Sequence, residues 1–231
     1  MDPLLAVAVS AVVGVVVVTV SRWVLRRLPE PPDDQLDEGE SKIPYAALGT
    51  PLFLLLTGTA SAIGTGIVVL RAPAEAWPAW VGLCSVGVLL AAIDAATTWL
   101  PLRLTRVLWG LAAAGILALV LMPTRAADAA GPTTLERMLT ALACALALWL
   151  FFGVAWFFSR GALGFGDVRI APVLGAAGGA VSWDIAAAGL LAGCLIGAAW
   201  GVVNLARRRP GQFPYAPSQV AGSFLALALF G

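Results

Sequence analysis

Residues 77–100, WPAWVGLCSVGVLLAAIDAATTWL, form an almost continuous apolar run that one carboxylate, Asp94, interrupts. At 1.5 Å of rise per residue, a helix of this length crosses the roughly 30 Å hydrocarbon core of a bilayer. An ionised carboxylate inside such a helix costs about 2.5–3.5 kcal/mol on insertion scales. The segment therefore predicts a membrane span, and its carboxylate needs a compensating partner or a function.

Similar apolar blocks recur along the whole chain. Hydrophobic residues make up 60% of the 231 residues and charged residues 12%, whereas soluble domains are about half apolar and a quarter charged. We expect an all-α, polytopic membrane helix bundle with about seven or eight transmembrane segments, forming one membrane-embedded domain over residues 1–231. The block at 170–182 is short and glycine-rich, which predicts a half-span or a broken helix. The blocks are 4–25, 45–70, 77–100, 107–122, 138–158, 170–182, 184–206 and 215–230.

The first block is interpreted as a retained span, because its positive charges follow the apolar run, unlike those of a cleavable signal peptide. Residues 26–44 form a proline-containing acidic linker whose composition predicts a solvated segment. Glu136 and Asp128 are expected in a second, milder loop. The acidic residues of the linker are Glu30, Asp33, Asp34, Asp37, Glu38 and Glu40.

The Lys and Arg residues predict the orientation of the chain. With the N-terminus outside, eleven of the fourteen fall in cytoplasmic loops, and the positive-inside rule favours this topology. It requires 170–182 and 184–206 to be two separate passes. The eleven are Arg22, Arg26, Arg27, Lys42, Arg103, Arg106, Arg160, Arg169, Arg207, Arg208 and Arg209, and the other three are Arg71, Arg125 and Arg137.

The residue inventory restricts the possible chemistry. The chain has no histidine, which excludes Ser-His and Cys-His catalysis and histidine-based metal sites. Its three cysteines lie singly in apolar blocks and are interpreted as small buried hydrophobes. We expect neither a metal nor a cofactor, and a net charge of +1 gives no indication of nucleic-acid binding. Chemistry must come from carboxylates, hydroxyls or the backbone.

A second acid of interest is Asp167, in the stretch RGALGFGDVRIAPVLGAAGG at residues 160–179. Asp94 precedes the helix-ending Pro101 by seven residues, or about 10 Å, so both acids are expected near the cytoplasmic face. Each could be a structural carboxylate that binds Thr97, Thr98 or Arg169. Together, they could share one proton, so that one carboxylate activates water while the other protonates a peptide carbonyl. The neighbouring glycines would let an extended substrate approach the backbone closely.

Three stretches resemble one family. GALGFGDVRIAPVLG (161–175), IDAATTWLPLRLT (93–105) and FPYAPSQVAG (213–222) are similar to motifs of the type IV prepilin peptidases, which are GxGD intramembrane aspartyl proteases. The resemblance covers about residues 77–230. It implies that Asp94 and Asp167 are catalytic. It also implies a substrate-binding role for the surrounding positions, which are Gly164, Gly166, Arg169 and Pro101.

The chain departs from the family pattern at a few positions. Leu102 stands where Asn is frequent, Ala216 where Gly is common, and Arg169 where Lys is frequent. The cysteine-rich insertion of the bifunctional members is missing from the first loop, which predicts a short form with peptidase activity but without methyltransferase activity.

The resemblance also implies a partner and a location. The partner would be a pilin-like precursor with a basic leader, cut at the cytoplasmic face of a bacterial membrane, with membrane lipid as the surroundings and a role in type IV pilus assembly or secretion. The acidic linker could attract the basic leader.

Two alternatives come from other classes. The carboxylates could relay protons or bind a cation in a transporter or channel component, or the chain could be a non-catalytic assembly scaffold. Two acids near one membrane face fit a protease better than a midplane transport site.

Overall fold

The computed structural model describes residues 3–30, 43–121, 132–159, 163–206 and 214–231. Regular structure in these ranges is helical, with eight long helices and a short 3₁₀ turn at Tyr45–Leu48. Most of the acidic linker, residues 31–42, and several arginines of the charge count, such as Arg160, lie outside the described residues. The helices are α1 Pro3–Leu25, α2 Pro51–Arg71, α3 Ala74–Thr97, α4 Leu102–Leu121, α5 Thr134–Ser159, α6 Phe165–Val181, α7 Trp183–Ala206 and α8 Ala216–Phe230.

Consecutive helices pair into four antiparallel hairpins, α1–α2, α3–α4, α5–α6 and α7–α8. Glycines let the two backbones of each hairpin approach closely. A Cβ at Gly115 would lie 2.7 Å from the carbonyl carbon of Pro78, and one at Gly175 would lie 2.7 Å from that of Cys144. Small residues at helix contacts are the usual packing device in membranes, where no hydrophobic effect drives the helices together.

The bundle is buried most deeply along α3, α6 and α8. In α3, 67% of its most apolar window is buried, against 22% in α1 and α5 and 28% in α7. The Trp80 side chain of α3 is fully buried and its ring lies 5.7 Å from that of Phe224 in α8. Three central helices are therefore shielded by their neighbours, and each of them brings one segment to the site described below.

Six of the described helices are long and apolar enough to cross a membrane, and α6 and α8 are shorter. Their outward surface is rich in large exposed hydrophobic side chains such as Leu4, Leu205 and Phe158. An apolar surface of this kind is unfavourable in water but is accommodated by the hydrocarbon core of a bilayer. The expected all-α, polytopic helix bundle is confirmed, and the chain is a multi-pass membrane protein.

Two expectations about local structure were wrong. The block at 170–182 is not a broken helix: it belongs to a continuous helix, α6, which begins at Phe165 and contains Pro172 without a break. Proline removes one backbone hydrogen bond from this helix, and the helix packs closely on α5, at Gly175 among other positions. Glu136 lies in the first turn of α5 instead of a loop. It accepts the Thr133 N–H at 2.7 Å while its own N–H binds Thr133 Oγ1, a capping box.

Candidate active site

Asp94 lies in the last turn of α3 and is 4% exposed. Its Oδ2 accepts a hydrogen bond from the backbone N–H of Ala216, at 3.1 Å. The helix ends where Thr98 adopts a left-handed conformation, with φ of 59°, and donates its N–H to the Asp94 carbonyl at 2.7 Å. The carboxylate is thus buried, yet close to the end of its helix.

A π-helical turn, Leu83–Gly87, precedes this segment within α3. Such turns carry an extra residue, so they rotate the downstream side chains relative to those upstream, and they are frequent at functional sites. Seven residues separate Gly87 from Asp94. The turn therefore contributes to the direction in which the carboxylate faces.

Asp167 lies in the first turn of α6 and is also 4% exposed. Gly164 caps the helix, and its carbonyl accepts the Asp167 N–H at 3.1 Å. The position is favourable for a carboxylate, because the N-terminus of a helix carries partial positive charge. Its buried Oδ1 has no hydrogen-bond partner among the described residues. A buried acceptor without a partner is rare in folded proteins, and a functional role is one of the reasons for which it occurs.

The ends of three helices bring the two acids together. The carboxylates are near enough for the charge of Asp94 to act on Asp167. Asp167 also acts on the hydroxyl of Tyr215, the residue that precedes α8. Because Ala216 binds Asp94, the start of α8 contacts one acid through its backbone, and the Tyr215 hydroxyl, which bonds to Cys194, lies within electrostatic reach of the other. The three helix ends that meet at the site are thus the C-terminus of α3 and the N-termini of α6 and α8.

The side chains that could have made Asp94 and Asp167 purely structural have other partners. Thr97 Oγ1 donates to the Ile93 carbonyl at 2.8 Å, and Thr98 Oγ1 donates to the Thr97 carbonyl at 2.6 Å. The guanidinium of Arg169 lies 4.8 Å from the centre of the Phe165 ring. The threonine hydroxyls and the arginine therefore do not compensate for the burial of the Asp94 and Asp167 carboxylates.

The expected substrate-binding positions surround the acids in different ways. Gly166 packs against the segment between α3 and α4: a Cβ there would lie 2.6 Å from Leu100 Cδ1. Gly164 has an ordinary extended backbone, with φ of −67°, so it needs no special conformation. Pro101 is buried and its carbonyl accepts from Thr105 at the start of α4, while the Arg169 carbonyl accepts the Trp109 indole N–H at 2.7 Å. Of the two glycines, Gly166 is therefore the one at which the lack of a side chain permits close packing.

The structure adds three residues that were not identified as site residues from the sequence. Ala216 supplies the N–H that binds Asp94, and Tyr215 supplies a hydroxyl. Gln219, one turn further along α8, is 3% exposed, and neither polar atom of its amide has a partner among the described residues. In the sequence, all three residues lie in the stretch FPYAPSQVAG, in which two prolines mark the start of an apolar helix.

The arrangement can carry out acid–base chemistry. Two buried carboxylates whose charges interact do not both ionise easily, so one can accept a proton while the other donates one. No group of three His, Cys, Asp or Glu side chains that could hold a metal ion occurs within the described ranges. The chemistry that two such carboxyl groups can offer is proton transfer to and from a bound molecule.

Residues 80–202, more than half of the chain, match the family model described as the type IV leader peptidase family. The matched region includes Asp94 and Asp167 and ends before Tyr215. No curated protein and no solved structure gives a significant match to the chain.

Proposed function

The chain belongs to the type IV leader peptidase family, and from that membership we propose that it is an intramembrane aspartyl endopeptidase. Its substrate would be a pilin-like precursor in the bacterial cytoplasmic membrane. The enzyme would remove the basic leader at the cytoplasmic face, and Asp94 and Asp167 would be its catalytic residues.

The observation that carries this proposal is the convergence of two buried acids at the ends of their helices. Asp94 is three residues from the end of α3, and Asp167 is two residues from the start of α6. A peptide bond would therefore be presented near one surface of the bundle, where water is available, and not at the middle of the bilayer. This depth supports a peptidase over a transporter, whose binding sites lie near the midplane.

The reaction would proceed in two stages. The ionised carboxylate takes a proton from water, and the resulting hydroxide attacks the carbonyl carbon while the protonated carboxylate donates to the carbonyl oxygen. The tetrahedral intermediate then breaks its C–N bond, and a proton passes to the departing nitrogen. One water is consumed, and the products are a new carboxyl terminus on the leader and a new amino terminus on the mature chain.

Neighbouring groups would position the substrate backbone. The amide of Gln219 has an NH₂ group that can donate and an oxygen that can accept, as the N–H and C=O of a peptide group do, and both have no partner among the described residues. Because Gly166 packs closely on Leu100, the space through which a substrate backbone would reach Asp167 would be narrow. The acidic linker would attract the positive charge of the leader over a distance of about 10 Å at 0.1 M salt.

Leader removal provides the first test. When the chain is produced together with a candidate precursor in cells without their own leader peptidase, we expect the precursor to shorten by the mass of its leader. The measurement is the intact mass of the precursor. A panel of pilin-like precursors that all keep their leaders would contradict the proposed function.

A further inference from the structure

An elongated groove runs along the lipid-facing side of the bundle between α2, α3 and α8. It has a volume of about 560 Å³. On α2 it extends from Phe53 to Ile67, which corresponds to about 21 Å of helix. On α8 it extends from Pro217 to Phe224, and the Phe224 ring lies against Gly64, forming part of its floor. Its length along the helices suits an extended rod better than a compact ligand.

The walls of the groove are apolar and largely small. The α3 wall consists of Val88 and four alanines, Ala91, Ala92, Ala95 and Ala96, and none of the described residues that line the groove is charged. Small side chains allow the backbone of a second helix to come close, which is how helices associate in a bilayer. The chemistry of the surface therefore matches an apolar helix that lies alongside it.

One end of the groove reaches the candidate active site. Ala95 follows Asp94 directly in the chain. Pro217 follows Ala216, whose N–H binds the Asp94 carboxylate. An apolar helix in the groove would consequently end beside the two acids, and the residues just before that helix would reach them.

We propose that the groove between α2, α3 and α8 is the docking site for the apolar helix of the precursor. This inference rests on the proposed function, because a leader peptidase must hold its substrate where the leader meets the helix. The groove would fix where the apolar helix ends relative to Asp94 and Asp167. The two acids would then cut the peptide bond that lies at this distance from the helix. Recognition would then depend on the shape of the helix surface as well as on the leader.

A second groove on the bundle provides a matched control. It lies between α4, α5 and α6, has a volume of about 300 Å³ and is also apolar, with Ala113 on its wall. Neither Asp94 nor Asp167, nor a residue directly next to them in the chain, lines it. Ala113 and Ala221, which lines the larger groove, are both exposed alanines on helices. The same substitution at the two positions adds the same bulk to two grooves, of which one adjoins the acids.

The test compares Ala221→Trp with Ala113→Trp on the full precursor. We expect Ala221→Trp to lower the cleavage rate about tenfold or more, because a large ring in the groove excludes a helix, and Ala113→Trp to leave the rate within about twofold. Equal rates for the Ala221→Trp variant and the wild type would overturn the inference. So would equal losses in both variants. A wild-type protein that cleaves no precursor at all would instead overturn the proposed function.

A second measurement is independent of catalysis. A photoreactive side chain at position 221 or 113 is introduced into the Asp167→Asn variant, so that the uncleaved precursor stays bound. Capture of the precursor through its apolar helix from position 221, and not from 113, is expected. Capture of lipid alone at 221 would contradict the inference and identify the groove as an ordinary lipid contact. Capture of a second copy of the chain would contradict it as well.

Discussion

Replacement of Asp94 or Asp167 by asparagine is expected to abolish leader removal, with a loss of at least about 10²–10⁴-fold in rate. An asparagine amide has nearly the shape of the carboxylate but cannot take a proton from water or deliver one to a carbonyl oxygen. At position 94 the amide oxygen can still accept the Ala216 N–H, which in the wild type lies 3.1 Å from the carboxylate. The loss should therefore be chemical, and the fold should persist.

The control is a third acid in a similar position in its own helix. Asp184 lies in the first turn of α7 and is exposed, so Asp184→Asn should keep the wild-type rate. Initial rates and thermal unfolding are measured for all three variants in the same detergent. Full activity in either the Asp94→Asn or the Asp167→Asn protein would show that the pair is not catalytic.

Gly222→Ala is expected to destabilise the α7–α8 hairpin and, with it, the site. A Cβ at position 222 would lie 2.6 Å from the Gly193 Cα and 2.8 Å from the Gly189 carbonyl oxygen. Both are backbone atoms, so the helices must separate to admit the methyl group, at a cost of about 1–3 kcal/mol. Because α8 also carries the N–H that binds Asp94, separation of the hairpin should lower activity as well as the unfolding temperature.

Gly201→Ala in α7 is the matched control. A Cβ there would have no atom of the described residues within 4 Å, and alanine favours a helix over glycine by about 1 kcal/mol. Its unfolding temperature should stay the same or rise, with unchanged activity. If both alanine variants unfold at the same temperature, the contact between Gly222 and Gly193 does not hold the hairpin together.

The helices could be predicted from the sequence because each one is an uninterrupted apolar block. Their ends were less predictable. Pro101 was expected to end α3, but the helix ends four residues earlier, at Thr97, where the left-handed Thr98 closes it. The short, glycine-rich block at 170–182 was expected to be a half-span or a broken helix, yet it belongs to a continuous helix, α6, that also contains Pro172. Proline and glycine content alone therefore did not predict where these helices end.

The two acids could be found because ionisable residues are expensive inside apolar blocks, and their motifs made them stand out. Their partners could not be found in the same way. The group that binds Asp94 is a backbone N–H, that of Ala216, which lies 122 residues away in the chain. Every residue except proline carries an N–H, so no side-chain pattern identifies it. The same holds for the groove, whose alanines and apolar residues look like any lipid-facing surface until the fold brings three helices together.

The central claim, that this Asp94–Asp167 pair removes leaders, is tested most directly with purified components in lipid vesicles. Precursor is incubated with the wild-type protein and, separately, with the variant that carries both Asp94→Asn and Asp167→Asn, and the product masses are measured. The account predicts that the wild type alone releases the leader and leaves a new amino terminus where leader meets apolar helix. Cleavage at that position by the double variant would contradict the account, and so would an intact precursor after incubation with the wild type.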